Sequence, residues 1–159
     1  MVRICFVCLG NICRSPTAEA IMENLIEQAG LQESIEVDSA GTGDWHVGDP
    51  PDARATAAAK RRGLSVHGRA RRFAPEDFDT FDYVVAMDKA NRNALKKLAH
   101  DKTEKEKIEL LRNYDADSPR DASVPDPYYG GQNGFEEVLD ICEAGCRGLL
   151  TQVRQEHNL

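Results

Sequence analysis

Apolar residues gather in four short runs, at 2–8, 35–39, 82–87 and 108–111. Between and after them lie stretches with helical spacing near 16–29, 51–62, 89–100 and 134–155. Runs of this length read as strands and the 3.6-residue periodicity as helices. Ala18, Ile21, Met22, Leu25 and Ala29 mark the inner face of the first helix, which Gly30 stops. Phe135, Val138, Leu139, Cys142, Cys146, Leu149 and Val153 form the same kind of stripe on the last. Strands alternating with helices predict an α/β fold: a parallel sheet covered on both faces, with ligands bound beyond the C-terminal ends of its strands. The pattern does not give the strand order.

One segment breaks the alternation. Residues 114–134 show no period over 21 residues and hold three of the four tyrosines. A loop beyond about 12 to 15 residues is usually functional or disordered, and the aromatic content favours an ordered, working loop over a linker.

Composition narrows the field. At 159 residues, 41% hydrophobic and 30% charged, the chain has the size of one domain, residues 1–159, with one core. The apolar run from Ile4 to Leu9 is far below the ~18 residues that span a bilayer, and no leader pattern opens the chain. A cytoplasmic protein with no membrane partner is expected. A net charge of -7 weighs against nucleic acid as a partner. The exception is the basic group Lys60, Arg61, Arg62, His67, Arg69, Arg71 and Arg72, of which the first three read better as a helix end before Gly63. Five cysteines, at spacings that suit neither zinc nor a disulfide framework, read as reduced thiols, and no metal or other cofactor is expected. Cys5, Cys142 and Cys146 read as core.

The chemistry is concentrated at the end of the first strand. Cys8 is followed by Leu9, Gly10, Asn11, Ile12 and Cys13, then by Arg14, Ser15 and Pro16. A cysteine five residues before an arginine is a weak signal by itself. Here it follows a strand, carries Gly10 and Asn11 where the backbone must turn tightly, and ends on Ser-Pro, which reads as a helix N-cap and first helical position. Such a loop cradles an anion with backbone N–H groups at the positive end of a helix. A thiol attacks as its thiolate, and a helix N-terminus with a neighbouring cation is what favours that form. The arginine's planar fork suits two phosphate oxygens. The Ser15 hydroxyl is placed either to cap or to donate to the sulfur. Cys13, five residues from Cys8, is a candidate disulfide partner under oxidation. Cleaving a phosphate monoester also calls for a carboxylic acid to protonate the leaving oxygen. Asp115, Asp117, Asp121 and Asp126 share the long loop, and composition does not choose among them. Trp45, the only tryptophan, lies in the polar stretch 41–48 and with Tyr128 and Tyr129 is a candidate wall for an aromatic ring.

From Cys8 to Pro16 the chain resembles the low-molecular-weight protein tyrosine phosphatases. Three further stretches, residues 38–45, 81–88 and 126–129, resemble that family's substrate-side loop, third strand and general-acid loop in the same order. The resemblance implies a three-layer, four-stranded, flavodoxin-like parallel sheet, and hydrolysis of phosphotyrosine in proteins through a cysteinyl phosphate, releasing inorganic phosphate. It selects Asp126 as the general acid, makes Asn11 and Ser39 braces of the phosphate loop, and gives Asp88 a supporting role that competes with an N-cap role. It also puts a histidine beside the loop asparagine where this chain has Gly68; His67 lies one residue earlier, which leaves contact with Asn11 open. Arginine phosphatases of the same fold are the nearest alternative, with a polar threonine where this chain has Ile12. Thiol-dependent arsenate reductases need relay cysteines that residues 80–100 lack.

Overall fold

Four strands pair in parallel in the order β2-β1-β3-β4: β1 is Val2–Cys8, β2 Ile35–Gly41, β3 Tyr83–Ala86 and β4 Ile108–Leu110. This is the flavodoxin-like arrangement, read from a computed structural model that describes residues 1–127 and 132–159. The helices are α1 (Arg14–Gln28), α2 (Ala53–Lys60), α3 (Asp77–Thr80), α4 (Lys89–Leu98), α5 (Lys102–Glu106) and α6 (Gln132–His157), with a 3₁₀ turn at Leu111–Tyr114.

The near-continuous burial of β1 follows from cover on both sides of the sheet. Ile4, Phe6 and Cys8 enter the larger core with α1, α2 and α6, while Cys5 and Val7 enter a second core with Phe78 of α3 and Leu95 of α4. Phe6 has no exposed surface, and Phe6→Ala would cost about 3–5 kcal/mol through the cavity left behind. The stripe on α6 is core throughout, Cys142 and Cys146 included, and all five cysteines are free and buried. Lys60 closes α2, and Gly63 supplies the positive φ of 77° that ends it. Arg61 and Arg62 then pair with Glu136 and Asp140 of α6. Among the described residues no helix is long and apolar enough to cross a membrane.

The chain runs from β1 to β2 on one side and returns to β3 on the other, so the sheet's switch point lies between β1 and β3. A ligand in an open parallel sheet binds outside the carboxyl ends at such a point. Cys8 ends β1 there, and Asp88 follows β3 there.

Candidate active site

Beyond Cys8 the chain turns through residues 9–13 into α1. Asn11 takes a left-handed φ of 57°, uncommon for a residue other than glycine and tolerated by asparagine. Its backbone N–H then donates to Cys8 Sγ at 3.3 Å. The loop is tied outward as well: Ile12 O accepts from the N–H of Asp52, the N-cap of α2, at 2.8 Å.

Ser15 is not the N-cap expected from Ser-Pro. Cys13 occupies that position without a side-chain capping bond, α1 starts at Arg14, and Ser15 lies within the first turn. Pro16 is harmless there because first-turn N–H groups have no intrahelical acceptor. The fully buried Ser15 hydroxyl instead stands 3.0 Å from Cys8 Sγ and accepts from Asn11 Nδ2 at 2.8 Å. Asn11 Nδ2 also donates to Ser39 Oγ at 3.0 Å, while Asn11 Oδ1 accepts from the Arg71 N–H at 3.0 Å. With both amide hydrogens committed to serine oxygens, the Ser15 hydrogen is left for Cys8 Sγ or, at 3.4 Å, Ala40 O. The sulfur is the nearer acceptor. Asn11 thus ties Ser15, Ser39 and the Arg71 backbone together behind the loop.

His67 does not reach Asn11. Its Nε2 lies 2.9 Å from Glu23 Oε1, and the Glu23 hydrogen bond, against some loss from burial, holds the imidazole pKa above its ordinary value. Gly68 stands where the histidine was expected, His67 one residue earlier is exposed, and the Arg71 backbone N–H donates to Asn11 instead.

Arg14 is buried beside the sulfur. Its Nη1 donates to Asp88 Oδ2 at 2.7 Å and to Val124 O at 3.0 Å, and its Nη2 lies 3.6 Å from Asp126 Oδ2. Burial opposes the charge, yet the facing Cys8 sulfur and the Asp88 hydrogen bond outweigh it and hold the guanidinium pKa above its ordinary value. The other oxygen of Asp88 caps α4 by accepting from the Asn91 N–H at 2.8 Å.

The segment carrying Asp126 is pinned rather than slack. Asp121, at φ 60°, accepts from Arg92 and Asn113; Arg112 donates to Ser123 O, and the Val124 N–H donates to Met87 O beside the end of β3. Asp126 follows two residues later. Tyr128 and Tyr129 lie outside the described residues.

Cys8, Leu9, Gly10, Ile12, Cys13, Arg14, Trp45, His46 and Asp126 line one cleft of about 440 Å³, within the usual range for a small-molecule site. Trp45 is 71% exposed, and away from the termini the exposed large hydrophobics among the described residues are Trp45, Leu9 and Val47. Two of these three border the cleft. Gly43 seats the tryptophan, since a Cβ there would fall inside the indole ring. The structure adds His46, hydrogen-bonded to Asp49 at 3.1 Å, which nothing in the sequence had singled out.

One cleft thus brings together a sulfur in a turn that opens a helix, a guanidinium fixed from behind and a carboxylate. Residues 3–159 match the family model for low molecular weight phosphotyrosine protein phosphatase. The chain belongs to that family. A low molecular weight protein-tyrosine-phosphatase of Streptomyces coelicolor is 48% identical over 97% of this chain and 94% of its own length. The protein tyrosine phosphatase of Entamoeba histolytica superposes with a TM-score of 0.93 at 40% identity, covering 100% of both chains. A Drosophila arginine phosphatase superposes with a TM-score of 0.88 at 36% identity, covering 95% of this chain and 97% of its own.

Proposed function

We propose that the chain hydrolyses phosphotyrosine in proteins through a phosphocysteine on Cys8. The observation that carries this reading is the convergence of Cys8, Arg14 and Asp126 on one cleft, with Arg14 Nη2 3.6 Å from Asp126 Oδ2. Cys8 Sγ attacks phosphorus in line, the bond to the phenolic oxygen breaks, and protonated Asp126 gives its proton to that oxygen. Water then attacks the phosphocysteine, Asp126 takes a proton from it, the S–P bond breaks, and inorganic phosphate leaves with the thiolate restored. Arg14 holds two equatorial oxygens through both steps, and Asp88 with Val124 O keeps its guanidinium from turning away. No metal or other cofactor takes part in this scheme.

The same cleft reads as a slot for a ring. Trp45 forms one wall, Ile12 and Leu9 add apolar surface at the floor and rim, and Tyr128 and Tyr129 are assigned to the facing wall by family resemblance. An aliphatic phosphoester too short to reach Cys8 gains little from such walls. Ile12 argues for tyrosine over arginine as the dephosphorylated residue, because a guanidino group is better served by a hydroxyl there. The partners are phosphotyrosine-bearing proteins, and the place of action is the cytoplasm, which suits five free thiols.

Steady-state hydrolysis of matched phosphotyrosine, phosphoarginine and phosphoserine peptides tests the substrate class. A kcat/KM for phosphotyrosine more than tenfold above both others, about 1.4 kcal/mol, is expected. Equal or greater activity on phosphoarginine would reassign the substrate and leave the cysteine chemistry in place.

A further inference from the structure

Behind the phosphate loop one buried acid has no part in the chemistry described so far. Glu19 lies on α1, one turn beyond Ser15, and is 92% buried by its 8% exposure. It does not line the cleft that holds Cys8. Its Oε1 accepts a hydrogen bond from Ser39 Oγ at 2.6 Å, and Ser39 in turn accepts from Asn11 Nδ2 at 3.0 Å.

We propose that Glu19 is a positioning residue for Cys8, acting through Ser39 and Asn11. A hydroxyl has a single hydrogen, and Ser39 is buried at 7% exposure, so that hydrogen needs a protein acceptor. Glu19 provides it. With the hydrogen directed at Glu19, the Ser39 oxygen is free to receive one hydrogen of the Asn11 amide, and the other goes to Ser15 Oγ. The Ser15 hydrogen is thereby left to face Cys8 Sγ. Without Glu19, Ser39 turns its hydroxyl to another acceptor, the Asn11 amide loses a partner, and the left-handed turn whose N–H meets the sulfur loses one of its anchors. What Glu19 contributes is an acceptor rather than a charge, because a carboxylate, a protonated carboxyl through its carbonyl oxygen, and a glutamine can all accept from Ser39.

The role presupposes Cys8 as a phosphatase nucleophile, and two readouts separate the two claims: kcat/KM on p-nitrophenyl phosphate, and the rate of Cys8 alkylation by iodoacetate, which needs no turnover. Glu19→Ala and the volume-conserving Glu19→Leu remove the acceptor, Glu19→Gln keeps it, and Ser39→Ala removes the intermediary. Glu19→Ala, Glu19→Leu and Ser39→Ala should each lose roughly tenfold in kcat/KM, chiefly in kcat. Glu19→Ala combined with Ser39→Ala should be no worse than about twofold below the weaker single variant. Glu19→Gln should stay within about threefold of wild type, and alkylation rates should follow the same order. Wild-type activity in both Glu19→Ala and Glu19→Leu, a Glu19→Gln as impaired as Glu19→Ala, or losses that multiply in the double variant would overturn the role. A wild-type protein that hydrolyses nothing would overturn the phosphatase reading, while the order of alkylation rates would still decide the role of Glu19.

Discussion

The backbone N–H of Arg71 donates to Asn11 Oδ1 at 3.0 Å across 60 residues of sequence. That bond sets which end of the Asn11 amide faces Ser15 and Ser39, and so sets the polarity of the network behind Cys8. Asn11→Asp keeps the shape and tolerates the left-handed backbone, but its side chain has no N–H to give either serine. It should lose ~10- to 100-fold in kcat/KM with a far smaller change in Tm than Asn11→Leu, which also strains the turn. Kinetics and thermal melts on the two variants check this.

Asp126 should matter in proportion to how badly the leaving group needs a proton. Asp126→Ala is expected to lower kcat by ~10²- to 10⁴-fold for phosphotyrosine and by much less for p-nitrophenyl phosphate. Equal losses on both would point to the 3.6 Å contact with Arg14, a structural role.

Glu19 links stability to pH. Burial, opposed by the Ser39 hydrogen bond and reinforced by Glu23 and Asp38, raises its pKa from 4.5 to about 7. The folded state therefore holds this proton where the unfolded chain has lost it, so the stability tied to it is complete below pH 4.5 and declines as the pH rises through 7. Glu19→Gln removes that decline. Relative to wild type it should gain about 2 kcal/mol between pH 5 and pH 8, measured by denaturant unfolding at the two values.

Much of this site is legible in the chain because its signals are local. A strand ending on Cys8, a tight turn through Gly10 and Asn11, and an arginine opening a helix all lie within a few residues, and β–α alternation places them at the carboxyl edge of a sheet. What is not legible depends on neighbours far apart in sequence. Ser-Pro reads as a cap, but the demand of a buried sulfur for a donor draws Ser15 into the helix and toward Cys8. Glu19 carries no signal of its own in the chain; only the pairing of β2 beside β1 brings Ser39 to it. The sequence leaves open whether His67 reaches Asn11; the left-handed Gly68 lies between it and the segment whose Arg71 N–H takes that place. The short α3 and α5 are single turns with too few residues to show a period.

Cys13 is buried near Cys8, the proposed nucleophile, and burial, with the nearby Asp52, pushes its thiol up to about 12. It should therefore not be the first thiol oxidised; its expected part is to capture an oxidised Cys8 as a disulfide. After peroxide, mass spectrometry should find a Cys8–Cys13 bond, and a thiol reductant should restore activity in wild type but far less in Cys13→Ser. Equal recovery in both would remove Cys13 from this role.

The most direct test of the central claim is to quench the enzyme in acid during turnover of ³²P-labelled phosphotyrosine peptide and locate the label. Phosphate on Cys8 sulfur is the predicted result, with label and turnover both absent in Cys8→Ser. Label on a histidine or serine, or substantial turnover by Cys8→Ser, would contradict the account.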